Sequence, residues 1–194
     1  MKNYSAGFCR LDMTPPLGVH LSGYFEPRYG KGVLDPLYIN AVAFGDGEKS
    51  AVLLVADLCN LKAETGTRWP SQIAEAVGLA PECVILCCTH THTGPSPLSD
   101  EMYAKWLFRR LCDAATMALD DRKPVTDVRW AEGHAEGMAF VRRYVMADGR
   151  VMTNPPKSLR DQIVAPACET DDSIRMIQIL REDAPRILLA NFQA

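Results

Sequence analysis

The chain has 194 residues, 47% of them hydrophobic and 23% charged, and a formal net charge of −3. A chain of this length fits one globular domain that buries roughly 70% of its unfolded surface, and the composition is not that of a disordered protein. The slightly acidic balance gives no general attraction to nucleic acid or to an anionic membrane, and no apolar run is long enough to span a bilayer.

Residues 4–12 read as a first strand ending at Asp12 and closed by Thr14-Pro15-Pro16-Leu17-Gly18. Residues 18–36 are rich in Gly, Pro and aromatics without a period, which makes them a long loop of the kind that usually carries function. Two β-rich runs, 39–44 and 51–58, flank Gly45-Asp46-Gly47, a hairpin signature, and the second ends with Asp57 near its tip. Residues 63–77 read as a helix broken by Pro70 and ended by Gly78. Val84-Ile85-Leu86-Cys87-Cys88 then forms a buried strand. Ser99-Asp100 caps a helix running to about Leu119, whose stripe Tyr103, Trp106, Leu107, Arg110, Leu111 and Ala114 is core packing rather than a cofactor surface. Residues 125–146 read as strands interrupted at Gly133 and Gly137, residues 154–169 as an irregular segment, and 174–180 and 186–192 as two strands joined by Glu182-Asp183-Ala184-Pro185.

The expected fold is α/β, a mixed sheet flanked by helices. The hairpin-like pairs 39–57 and 174–192 argue against an all-parallel sheet, while 51–88 and 83–130 supply strand–helix–strand crossovers. Eight βα units do not fit in 194 residues, which excludes a TIM barrel. The seven cysteines are odd in number, and most sit in apolar surroundings; together with a start that lacks a secretory signal core, they point to a reduced, cytoplasmic protein. The chain stops two residues after Phe192, so a truncated domain is expected, with an apolar edge at 187–194 open to self-association.

The run Thr89-His90-Thr91-His92-Thr93-Gly94-Pro95 carries the chemistry. Residues two apart on a strand share a face, so His90 and His92 would emerge together at the carboxyl end of strand 84–88, where ligands of open α/β sheets sit. Two imidazoles so placed suit a metal site, or one ligand beside an acid/base. Spacing alone is equally compatible with a polar loop bearing two partly exposed histidines.

The segments taken together resemble the neutral/alkaline (non-lysosomal) ceramidase superfamily, in its amino-terminal catalytic region and its short bacterial type. The matching pieces are Ala6-Gly7, Arg10-Leu11-Asp12-Met13-Thr14-Pro15-Pro16, Leu21-Ser22-Gly23-Tyr24, Gly32-Val33-Leu34-Asp35-Pro36-Leu37-Tyr38, Asp57-Leu58, Cys88-Thr89-His90-Thr91-His92-Thr93-Gly94-Pro95, residues 137–143, Asp148-Gly149-Arg150-Val151-Met152-Thr153-Asn154-Pro155 and Asn191-Phe192-Gln193-Ala194. The resemblance implies a zinc-dependent amidase in which a metal-bound water attacks an N-acyl carbonyl. By the same resemblance His90 matches a zinc ligand, His92 a second active-site histidine that moves a proton or binds substrate, and Arg142 an arginine that stabilises the oxyanion. Asp57, at the end of the neighbouring strand, is a candidate carboxylate for orienting an imidazole, with a turn or capping aspartate the other reading. His20 and His134 match nothing that does chemistry.

Two departures qualify the likeness. Val141 stands where the family has Asn before the arginine, and Ala194 ends the chain where the family continues into a histidine, the second zinc ligand, with a glutamate and a tyrosine later still. By that likeness the chain carries one of the four protein ligands the family implies. By the same resemblance the expected substrate is a small N-acyl amide, lipid-like by family, and the expected cofactor is Zn2+. The alternative is a non-catalytic fragment or remnant that keeps the fold without a complete metal site.

Overall fold

The computed structural model describes residues 3–193. The chain divides into two compact units where its length alone allows one domain: residues up to Asp127 together with Ile179–Ile187, and Val128–Gln178 together with the residues from Leu188 on.

In the first unit, β1 (Ser5–Asp12) lies antiparallel to β4 (Tyr38–Gly45), which lies antiparallel to β5 (Ser50–Ala56). The 51–58 run thus stops as a strand at Ala56, leaving Asp57 just beyond its tip. β6 (Val84–Cys88) then adds parallel to β5 at the sheet edge, through the crossover helix α1 (Ala63–Val77). Register explains the core. Cys9 faces Ala41 and Ala41 faces Leu54, so these residues share one side of the pleat, where the apolar faces of α1 and of α2 (Glu101–Asp120) cover them. Leu54, Ile73, Leu107 and Leu111 are fully buried there, each contributing about 1.5–3 kcal/mol by leaving water.

Pro70 does not break α1. Its missing N–H and its ring disturb only the carbonyl of Gly66, and burial of Trp69, Ile73 and Ala74 outweighs a helix penalty of about 3 kcal/mol. Gly78, at φ 69°, ends the helix as expected. α2 starts at Asp100, whose carboxylate accepts the Tyr103 N–H at 2.8 Å. Tyr103, Leu107, Leu111 and Ala114 are buried, whereas Trp106 is 41% exposed and Arg110 donates to the Asp12 carbonyl. β6 is an edge strand and not a buried one: Ile85 and Cys87 alternate outward.

The second strand–helix–strand run is not a parallel crossover. After α2 the chain enters β7 (Lys123–His134), which is antiparallel to β1 and meets it only through Ser5–Pro124 and Ala6–Lys123. With β11 (Ser173–Arg181) and β12 (Ala184–Phe192), a mixed seven-stranded sheet results, in the order β12-β11-β7-β1-β4-β5-β6. Arg181 clamps the first unit: its guanidinium, 3% exposed, reaches the Asp121 carboxylate at 2.6 Å, the Ala6 carbonyl and the Pro185 carbonyl.

The long loop 18–36 contains a two-residue hairpin, β2 (His20–Leu21) with β3 (Arg28–Tyr29). It leaves from the end of β1 and returns at the start of β4, so it sits at the sheet edge where β5 and β6 end. The second unit holds a small sheet of β8 (Arg143–Met146) between β9 (Val151–Thr153) and β10 (Ile163–Pro166). Among the described residues no helix is long and apolar enough to cross a membrane.

Candidate metal centre

β6 ends at Cys88, and the following backbone still pairs with the neighbouring chain: Thr89 N–H donates to the Ala56 carbonyl and His90 N–H to the Leu58 carbonyl. His90 then turns left-handed, at φ 64°. Strand alternation therefore ends before the histidine pair. The two rings meet because of that turn, not because of a shared strand face.

Their contact is end to end. His90 Nε2 lies 3.4 Å from His92 Nε2, with the ring planes at 79°. His90 Nδ1 lies 2.8 Å from the Cys59 carbonyl oxygen. A carbonyl can only accept, so Nδ1 carries the proton and Nε2 presents its lone pair. That is the arrangement by which proteins set the tautomer of a metal-binding imidazole. With Zn–N bonds of about 2.0–2.1 Å, two nitrogens on a tetrahedral ion stand about 3.3–3.4 Å apart, so the observed spacing suits one ion between the rings. It equally suits one ligand with an acid/base beside it. The donor set fits a zinc ion in chemistry and spacing.

The acceptor that orients His90 is a backbone carbonyl, whereas Asp57 was the candidate carboxylate for that work. Asp57 Oδ2 instead accepts the Tyr38 N–H at 2.8 Å, and Asp57 N–H donates to the Tyr38 carbonyl. The aspartate ties the end of β5 to the start of β4, two residues before Cys59.

Cys59 is the residue that sequence reasoning missed. It is buried, and its sulfur lies 3.8 Å from His90 Nδ1, so that Cys59, His90 and His92 form a group able to hold a metal ion. The signal was available: β5 and β6 are parallel neighbours, so the residues just past their carboxyl ends converge. Cys88 points elsewhere chemically. Burial, with smaller contributions from Cys87 and Cys59, pushes its thiol up to about 11 and keeps it neutral.

The hairpin of the long loop is stitched onto the histidine segment. Leu21 bridges Pro95, Ser22 N–H donates to the Gly94 carbonyl, and Ser96 N–H donates to the His20 carbonyl. This brings Gly23 and Tyr24 against His92. The Tyr24 ring meets the imidazole edge-on at 6.0 Å, and the Arg28 guanidinium stacks on Tyr24 at 4.0 Å. Gly23 has φ 91°, and a Cβ there would fall 2.5 Å from His92 Nδ1. Only glycine fits.

Arg142 belongs to the second unit, between β7 and β8, where its carbonyl accepts the Asn154 N–H. His134 is in the same unit, paired with Asp172 at 2.9 Å. His20 stacks edge-on with Tyr29 within the loop hairpin.

No protein-family model matches the chain, and no curated protein matches it. Among solved structures it is similar to the neutral ceramidase of Pseudomonas aeruginosa, with a TM-score of 0.67 and 16% identity, over 99% of this chain and 32% of that one. It is similar also to a ceramidase complexed with C2, with a TM-score of 0.66 and 16% identity, over 99% of this chain and 31% of the other. The chain therefore spans about a third of the length of these structures. Over that span its fold is ceramidase-like.

Proposed function

We propose that the chain is the amino-terminal part, 1–194, of a zinc-dependent hydrolase of N-acyl amides. The observation that carries this is the pair of imidazoles with Nε2 atoms 3.4 Å apart, at the strand-end edge of a ceramidase-like fold. Zinc, when bound, would supply a Lewis acid and a water acidified to a pKa of about 7. His90 would hold it through Nε2, its ring fixed by the Cys59 carbonyl. His92 Nε2 takes the proton from the attacking water and returns it to the amine nitrogen as the C–N bond breaks, work worth about 10²–10⁴ in rate. Arg142 offers a permanent positive charge to the oxyanion. Asp57 acts one step back, by anchoring the backbone that leads to Cys59. The remaining metal ligands would come from residues beyond Ala194, and the location proposed is the cytoplasm.

The test is hydrolysis of N-acyl sphingosine and of simpler N-acyl amines by the zinc-loaded protein extended past Ala194. His90→Ala should lose metal and activity together, whereas His92→Ala should lose rate and keep the metal. Full metal content with full activity in His90→Ala contradicts the proposal.

A second reading has its own observation. Cys59 sulfur lies 3.8 Å from His90 Nδ1, and Cys59, His90 and His92 together are one short of the four ligands of a closed zinc site. A remnant with an incomplete site would bind zinc no better than a surface histidine pair.

A further inference from the structure

The two imidazoles of the candidate centre are held unequally. His90 Nδ1 is fixed by the Cys59 carbonyl at 2.8 Å, which sets both its tautomer and its ring plane. His92 has no such anchor: among the described residues its nitrogens meet only His90 Nε2, at 3.4 Å, and no oxygen accepts from Nδ1. The χ2 torsion of histidine is broad and roughly two-fold, so torsional preference alone does not keep an unanchored imidazole aimed at one point. Packing must hold this ring. The Gly23 backbone lies so close to it that a Cβ would stand 2.5 Å from Nδ1, and the Tyr24 ring meets it at 6.0 Å with the planes at 87°.

Tyr24 is held in turn. At the hairpin tip Phe25, Glu26 and Pro27 are exposed, whereas Tyr24 is turned in and half-buried. Arg28, opposite Leu21 in the hairpin, lays its guanidinium over the Tyr24 ring, 4.0 Å from the centroid. Among the described residues Arg28 forms no ion pair, so the ring is where its charge is engaged. The hairpin is pinned to the histidine segment by Ser22 N–H on the Gly94 carbonyl and Ser96 N–H on the His20 carbonyl. Arg28, Tyr24 and His92 thus form one row of contacts inside a single hydrogen-bonded unit.

From these contacts we infer that Tyr24, with Arg28 stacked upon it, is the positioning residue of His92. The ring edge confines the imidazole to the orientation that aims Nε2 at His90, and the guanidinium confines the ring. This deepens the proposed function and rests on it for the effect on rate, whereas the orientation itself is read without turnover. An edge-to-face aromatic contact favours the packed arrangement by a factor of about 2–10, and an exposed cation–π contact by about 2–5. The phenol hydroxyl takes part in neither contact. Phenylalanine at 24 therefore keeps the device, and leucine loses it.

The experiment uses the 194-residue chain with isotope-labelled histidines. It reads the nuclear Overhauser contact between the His90 and His92 rings and the ring-current shift that Tyr24 imposes on His92. In Tyr24→Leu the contact should weaken about twofold or more and the His92 ring signals should move to averaged positions; Tyr24→Phe should retain both. Arg28→Gln should weaken the contact about twofold with the tyrosine in place. Tyr29→Leu is the control: it removes the hairpin's other ring, the one against His20, and should leave His92 unmoved. In the zinc-loaded protein extended past Ala194, Tyr24→Leu should lower kcat about 2–10-fold with KM and metal content unchanged, because only the share of well-aimed imidazole falls. Tyr24→Phe should regain that rate. An unchanged ring contact in folded Tyr24→Leu, a Tyr24→Phe variant as disturbed as Tyr24→Leu, or a rate loss as large as that of His92→Ala overturns the inference. If Tyr24→Leu does not fold, Arg28→Gln decides, since that side chain is exposed, and an undisturbed His92 there overturns it. An extended wild-type protein that hydrolyses no amide would sink the proposed function and leave the positioning, read in the 194-residue chain, standing.

Discussion

Gly23→Ala tests how the histidine pair is built. The added methyl would sit 2.5 Å from His92 Nδ1 and 2.6 Å from Cγ, where carbon contacts need about 3.5 Å. Relief requires the imidazole to move by about 1 Å, which breaks the end-to-end approach to His90. The backbone adds its own cost, because φ is 91° and an L-residue pays about 1–2 kcal/mol in the left-handed region. Overpacking contributes about 1–3 kcal/mol, toward the low end here because His92 is only half-buried. The expected loss is about 2–3 kcal/mol, or roughly 4–12 °C in Tm at about 2–4 °C per kcal/mol for a chain of this size. Gly32→Ala is the control, since nothing lies within 4 Å of its Cβ and its φ is not positive. Thermal melts followed by circular dichroism, with imidazole ¹⁵N spectra of both variants, read the outcome. Equal melting temperatures in the two variants, with His92 resonances unmoved in Gly23→Ala, would refute the reasoning.

Other consequences concern charge. Burial pushes the Asp121 carboxyl up, but hydrogen bonds from Arg181 and the Phe8 N–H, and the guanidinium charge, outweigh it and hold the group below its usual range. Its stabilising contribution is therefore present above the ordinary carboxylate pKa and lost as pH falls through the depressed one. The stability gap between the wild type and Asp121→Asn, read from urea melts, should narrow steadily below about pH 4. Arg181→Met strands the Ala6 and Pro185 carbonyls and should cost roughly 1–3 kcal/mol, less than a fully buried pair because Asp121 keeps 40% of its side chain in water. For His134, the hydrogen bond and charge of Asp172 raise the pKa, so the pairing is fully present below the ordinary imidazole value and lost as pH rises through the raised one. An NMR titration should show His134 titrating above its usual range, and Asp172→Asn should bring it back.

Much of the fold was legible because local chemistry and tertiary packing agree. Helix α1 ends at Gly78, α2 is capped by Asp100, and the hairpin at Gly45-Asp46-Gly47 joins the expected strands. Pro70 misled because propensity alone cannot weigh the burial of Trp69 and Ile73. The second crossover failed because β7 runs antiparallel to β1 and meets it only through a short pairing, a tertiary fact with no local signature. In the site, alternation brought attention to His90 and His92, yet the φ of His90 and the Cys59 carbonyl fix their geometry. Neither is visible in spacing, because a left-handed histidine and a backbone acceptor 31 residues away leave no pattern in composition.

The most direct measurement is a calorimetric zinc titration of the protein extended past Ala194 beside its His90→Ala variant. The account predicts one ion per chain, with affinity falling about tenfold or more when His90 is removed. Equal heat and stoichiometry in both proteins would contradict it, since the metal would then not be held by His90 Nε2.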